Sequence, residues 1–376
     1  MADETSTETS ATKLFSGQPQ FTNFCRMREI YKTKRLEPSS QPHTFPTGSA
    51  MALPARYTFA ELDRSTEDFL AETHTAALLV LKEGNIVHEQ YRLTGAVDVN
   101  WISWSVNKSF VSALVGIAIE EGFIGSIEEN ISDYIPVEPG SAYDGVRIKD
   151  VLQMSSGARW LEDYSNPASD VFRLASATFG EESQDEFIST MPPELEPGTL
   201  NRYNSADTQA LGYMLTQATG RTLADYGWEK LWNPLGMEFP TYWITDSKDR
   251  EMAYGGLNMT ARDYAKLGEL YRRGGDWQGT QIVSADWVKA SVTPDAPHLM
   301  GDEKGVAYGY QWWVPIGDMG EFSAIGVYNQ YVYVNPAHDV VIVKLSATPT
   351  YGTAATEEAN RGMETLTFLR AIARAC

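Results

Sequence analysis

The chain has 376 residues, 43% hydrophobic and 21% charged, with 50 acidic against 30 basic side chains and a net charge of −20. That composition excludes collagen-like, coiled-coil and wholly disordered chains, and the charge repels nucleic-acid phosphates and anionic membrane surfaces. Two cysteines, Cys25 and Cys376, belong to no CxxC or Cys/His cluster, so no zinc site, other metal site or disulfide framework is expected.

The acidic start MADETSTETSATK lacks the basic-then-apolar pattern of a signal peptide. The chain as written reads as cytoplasmic, or as periplasmic or secreted if a leader has been removed. No run approaches the ~18 apolar residues of a membrane span. Residues 1–53 read as a tail and an arm, with Phe21, Phe24, Met27 and Tyr31 laid against a domain surface. Thr75–Tyr91 contains two apolar, β-branched runs, a hairpin whose turn takes its positive φ from Gly84-Asn85. Ser105–Glu121 carries apolar residues at helical spacing and stops at Gly122.

From about 137 to 250, short helical patterns such as Thr222–Leu235 are broken by Pro and Gly. Thr260–Asp263 is a capping-box-like helix start. Gly309–Pro315, Gln330–Asn335 and Val340–Leu345 read as strands, and Thr356–Arg374 as a helix with Thr356 at its N-cap. Strands at both ends with helices between them predict an α/β (α+β) fold for 54–376. An antiparallel sheet (54–100 and 250–376) is flanked by helices, and a mainly helical part (101–249) is inserted.

Ser105-Val106-Asn107-Lys108 is an S-x-x-K opening that helix. Residues three apart share a helix face, so the Lys108 amine lies beside the Ser105 hydroxyl. A serine becomes a nucleophile when a neighbouring base takes its proton, and an amine serves once burial lowers its pKa. With 27 serines and 12 lysines, roughly one such tetrapeptide is expected by chance. A second, Ser10–Lys13, sits in the tail and is assigned to chance.

The company of the first copy sets it apart. SWSVNKSFVSALVG, VLQMSSGARW, PGTLNRYNSADTQALGYML, YGGLNMTARDYAKLGELY and AIGVYNQYVYVNP follow one another over about 75–345. In this order they resemble the serine β-lactamase and penicillin-binding-protein superfamily, more closely its esterase-like and 6-aminohexanoate-dimer-hydrolase-like members. The resemblance implies Ser105 as nucleophile, Lys108 as its lysine, and Tyr203, in Tyr203-Asn204-Ser205, as acid–base group. It also implies an oxyanion hole from the backbone N–H groups of Ser105 and Val327 beside Gly326, with Ala324 as an alternative donor. Tyr164 and Asn258 line up with substrate-contacting positions, and Asp170 is a candidate contact for an ammonium group.

Two departures stand out. Ser205 replaces the lactamase Asn, and no Lys or His precedes Gly326, which argues against β-lactam turnover. The expected function is hydrolysis of small amides or esters through an acyl-enzyme, without cofactor or metal. The partner is then a small-molecule substrate, not nucleic acid or membrane, and a homodimer is left open. The alternatives are a non-catalytic binding or sensor protein of this fold, and a β-lactamase or D-aminopeptidase-type enzyme. No G-x-S-x-G occurs, and the five histidines form no metal or triad spacing. Of the pairs Trp101/Trp104 and Trp312/Trp313, core or cleft-wall packing is expected.

Overall fold

The computed structural model describes residues 20–178, 182–301 and 305–376. The tail with its Ser10–Lys13 tetrapeptide lies outside them. In chain order the first strands are β1 (Thr33–Leu36), β2 (Arg56–Phe59), β3 (Leu62–Ser65), β4 (Thr75–Lys82), β5 (Asn85–Tyr91) and β6 (Trp101–Ile102). There follow β7 (Thr241–Ile244), β8 (Leu257–Met259), β9 (Asp276–Trp277) and β10 (Thr280–Gln281). The last are β11 (Val306–Tyr308), β12 (Trp313–Pro315), β13 (Phe322–Gly326), β14 (Gln330–Asn335) and β15 (Val340–Ser346).

The main sheet has seven strands in the order β11-β12-β13-β14-β15-β4-β5, antiparallel throughout. Its centre is buried on both faces, and the side chains of β4 divide accordingly. Ala77, Leu79 and Leu81 join the large core, while Leu78 and Val80 join a second core on the opposite face. Burial on both faces explains why β4 and β15 read as continuous apolar runs rather than alternating ones. Helices Thr66–Glu72 and Gly362–Ala375 cover the second face, supplying Phe69, Leu70, Phe368, Leu369 and Ile372. On the first face helix Ala261–Arg272 packs close. A Cβ on its Gly268 would come within 2.6 Å of Val341 and 2.9 Å of Val332, so only glycine permits that approach.

Helix Asn107–Glu120 runs through the large core, buried at every position from Asn107 to Ala118. It packs against helix Ser205–Thr219 of the helical part. Among the described residues, no helix is long and apolar enough to cross a membrane.

Four details depart from the sequence reading. The β4–β5 turn is Glu83-Gly84 (φ 51° and 77°), because Lys82 pairs with Asn85, one residue earlier than expected. Gly309–Pro315 is not one strand. The chain turns between β11 and β12, Gly309 N donating to Trp312 O, and the Gln311 side chain donates inward to Leu152 O (2.8 Å). The last helix is two, Glu357–Asn360 and Gly362–Ala375, parted at Arg361 with φ 55°. The arm is no surface strap. Phe24 and Met27 are fully buried, and β1 completes a second sheet in the order β1-β7-β8-β6.

Lys344, on β15, is wholly buried in the second core. Its Nζ donates to Ser346 Oγ (2.6 Å) and sits 5.2 Å from the centre of the Phe69 ring. Burial pushes this ammonium well below the lysine range, the Arg361 charge adds to the shift, and Glu364 opposes it. A lysine with a depressed native pKa binds fewer protons than the unfolded chain, so its cost eases as pH rises. Lys344→Met is therefore expected to stabilise the fold by about 1–3 kcal/mol at neutral pH. The advantage should shrink as pH climbs toward the ordinary lysine range. Thermal melts at several pH values check it, and a lower Tm for the variant at pH 7 overturns it.

Candidate active site

Strand β6 ends at Ile102, and the chain turns sharply before the buried helix begins. Trp104 holds φ at 43°, outside the usual range for a residue with Cβ. Its ring is fixed edge-on against Phe24 of the arm, 5.4 Å between centroids, and Ser103 N donates to Leu257 O on β8 (2.7 Å). A 3-10 turn, Trp104–Val106, then places Ser105 at the start of the helix, where backbone N–H groups lack intrahelical partners.

One turn later Lys108 Nζ lies 3.2 Å from Ser105 Oγ, 2.9 Å from Ser205 Oγ and 3.0 Å from the Tyr254 carbonyl oxygen. The lysine is fully buried, and burial lowers its pKa to about 8, against the raising effect of the Glu162 and Asp207 charges. Tyr203 comes from the loop that Asn204 caps onto helix Ser205–Thr219. Lys108 Nζ lies 5.1 Å from the centre of its ring. The ring stacks on Trp313 (5.2 Å, 27°) and meets Tyr308 edge-on (6.1 Å). Burial pushes its phenol well above the tyrosine range, helped by Tyr308 and Glu162, while a hydrogen bond with Ser105 pulls the other way.

The opposite wall is the end of β13. A Cβ on Gly326 would stand 2.5 Å from Ser103 O and 3.1 Å from Ser105 N. The strand backbone thus lies directly against the start of the Ser105 turn, an approach open only to glycine. Val327 follows, and the next two residues, Tyr328 and Asn329, both have positive φ (62° and 67°). The Asn329 amide donates to Asn360 O (3.0 Å) and Thr365 Oγ1 (3.3 Å), tying this corner to the last helices.

Ser105, Tyr203, Gly326 and Val327 open onto a cleft of about 430 Å³. Among its described lining residues there is no Lys, Arg or His, and two carboxylates, Glu162 and Asp163, face it. A narrower apolar slot of about 30 Å³ adjoins Ser105 on the other side, lined by Trp104, Val171, Phe172, Met252 and Tyr254 among others. No group of three or more His, Cys, Asp or Glu side chains among the described residues is placed to hold a metal ion.

The structure thus brings together Ser105, Lys108, Tyr203, Gly326, Val327 and Tyr164, which lines the cleft. Two expected contacts are elsewhere. Asn258 is buried on β8, its amide donating to the Tyr242 and Gly256 carbonyls (3.0 Å each), so strand pairing holds it away from the cleft. Asp170 starts helix Asp170–Ala177, accepts from Leu161 N (3.0 Å) and pairs with Arg173 (2.9 Å). It organises its loop and does not line the cleft. Of the tryptophans, Trp101 and Trp312 are core, while Trp313 walls the cleft.

Sequence reasoning missed Glu162. One carboxylate oxygen accepts from Ser205 Oγ (2.8 Å) and Tyr164 OH (2.7 Å), the other from Ser205 N (2.8 Å) and Trp160 Nε1 (2.9 Å). It sits in an aperiodic loop, and no spacing rule marks it.

The Beta-lactamase family model matches residues 62–366. The 6-aminohexanoate-dimer hydrolase of Paenarthrobacter ureafaciens is 32% identical over 296 residues, 75% of each chain. A Bacillus anthracis structure assigned as a 6-aminohexanoate-dimer hydrolase superposes with TM-score 0.87 at 23% identity, over 98% of this chain and 97% of its own. A family VIII carboxylesterase shares the fold at TM-score 0.60 and 15% identity, over 81% of this chain and 93% of its own. With a family match across most of its length and this arrangement around Ser105, the chain belongs to the β-lactamase family of serine hydrolases.

Proposed function

We propose that the protein hydrolyses small carboxylic esters and short linear amides through an acyl-enzyme on Ser105. The observation that carries this is the fully buried Lys108 amine, pulled down to about 8 and held 3.2 Å from the Ser105 hydroxyl. Lys108 is the amine that gives up its proton far more readily than an ordinary lysine, and Tyr203 is the phenol that keeps its proton. Lys108 takes the Ser105 proton as Oγ attacks the substrate carbonyl carbon. The oxyanion rests on the N–H groups of Ser105 and Val327. Tyr203 donates its proton to the leaving alcohol or amine and is reprotonated from Lys108. Water then attacks the acyl-enzyme by the reverse route, releasing the acid and restoring the Ser105 hydroxyl.

Substrate preference follows from the lining. A cleft with two carboxylates and no cation among its described lining residues disfavours net-anionic substrates such as a penicillin or cephalosporin and accepts neutral, zwitterionic or ammonium-bearing ones. A fluorophosphonate probe is expected to label the protein and to leave Ser105→Ala unlabelled. Equal labelling of both, or of neither, removes the enzyme reading. Steady-state rates on p-nitrophenyl butyrate, a linear aminohexanoate dimer and nitrocefin are expected in that order, with nitrocefin ~10³-fold or more below the ester. A kcat/KM for nitrocefin at or above the ester's overturns the preference.

A further inference from the structure

Lys108 Nζ has three polar neighbours, and their chemistry fixes where its hydrogens point. The Tyr254 carbonyl oxygen can only accept. Ser205 Oγ has a single proton, and it goes to the Glu162 carboxylate oxygen 2.8 Å away. Toward Lys108, then, Ser205 also accepts, at 2.9 Å. A neutral amine has two hydrogens and one lone pair. With the hydrogens on Tyr254 O and Ser205 Oγ, the lone pair is left facing the third neighbour, the Ser105 hydroxyl at 3.2 Å.

We propose that Glu162 is a positioning residue that, acting through Ser205, aims the Lys108 lone pair at the nucleophile. This rests on the acyl-enzyme reading above. Glu162 is itself fixed by Trp160 Nε1, Tyr164 OH and the Ser205 backbone N–H, so its proton-accepting face cannot rotate away. Glutamine at this position has one acceptor oxygen for those donors and an NH₂ of its own. The NH₂ can donate to Ser205 Oγ, freeing the serine proton to turn toward the lysine and occupy its lone pair.

The acidic groups facing Lys108 are Glu162, from the loop after Trp160, and Asp207, from helix Ser205–Thr219, whose own pKa burial pushes up to about 7. The neutral rings of Tyr203 and Tyr254 stand at 5.1 and 5.6 Å. Glu162 favours protonated lysine, so removing its charge should move the acid limb of the rate profile to lower pH. Glu162→Gln is therefore expected to hold more neutral lysine and yet be slower, an opposition that general loosening of the site does not produce.

The test uses the full chain with p-nitrophenyl butyrate over pH 5.5–9.5. For Glu162→Gln we expect kcat down ~10–10²-fold, KM within about threefold, and the acid limb of kcat/KM shifted to lower pH. Ser205→Ala should lose a similar factor in kcat, and the double variant should be no slower than the slower single one, because both act along one path. A Glu162→Gln enzyme within about twofold of the parent with an unmoved limb, or losses that multiply in the double variant, overturns the proposal. If Glu162→Gln does not fold, Ser205→Ala decides alone, a kcat within about twofold rejecting the relay. Turnover retained by Ser105→Ala would instead overturn the acyl-enzyme reading itself.

Discussion

Replacing Lys108 by methionine is expected to lower kcat/KM for p-nitrophenyl butyrate by ~10³–10⁴-fold. Methionine fills nearly the same buried volume, so the helix and the packing around it survive while the amine is lost. The pH profile makes the expectation specific. Burial sets the lysine at about 8, and the amine works as a base only when deprotonated. In the parent, kcat/KM should rise with pH through about 8 and level off above it. In Lys108→Met the residual rate should lack that limb. A variant within tenfold of the parent, or one keeping the same limb, would remove Lys108 as the base.

Tyr203→Phe is expected to lower kcat by ~10² for the ester and by up to ~10⁴ for a linear amide. The ring's stacking on Trp313 and its edge contact with Tyr308 are retained, so the loss isolates the hydroxyl. Its proton matters most where the leaving group is a poor one. An amine must be protonated as it departs, whereas p-nitrophenolate needs far less help, and the ester's smaller loss reflects the hydroxyl's contact with Ser105. Parallel assays on the two substrates check the split, and equal losses on both would argue that Tyr203 only holds Ser105 in place.

What the sequence made legible was set by local spacing. The S-x-x-K pair needs only helix geometry, and Ser105 and Lys108 are indeed one turn apart. The ends of β14 and the caps at Thr260 and Thr356 were readable for the same reason, since each depends on residues within one turn. Glu162 was not legible, because its role depends on Ser205, 43 positions away, and on a lysine from a third element. Asn258 and Asp170 misled because their polar groups satisfy nearby backbone and arginine partners, which no linear pattern records. The arm was underread for a related reason. Phe24 reads with Phe21, Met27 and Tyr31 as lying on a domain surface, yet it packs against Trp101, Trp104 and Tyr328, residues about 80 and 300 positions further on.

The pairing of β4 with β15 carries a consequence for synthesis. Residues 75–82 and 340–346 are adjacent in the sheet, so β4 emerges from the ribosome long before its neighbour exists. Its partner on the other side, β5, follows at once, and that hairpin can close within microseconds. The other edge, with apolar side chains on both faces, stays open while more than 250 further residues are added, which at ~5–20 residues per second takes at least about ten seconds. An exposed, flat apolar edge is a template for pairing with other chains. The corner bearing Val327 waits longer still, until Thr365 arrives to hold Asn329. The nascent chain must therefore be kept soluble through nearly its whole translation, and its yield in a cell should depend on growth temperature and chaperone supply more than on the stability of the finished fold.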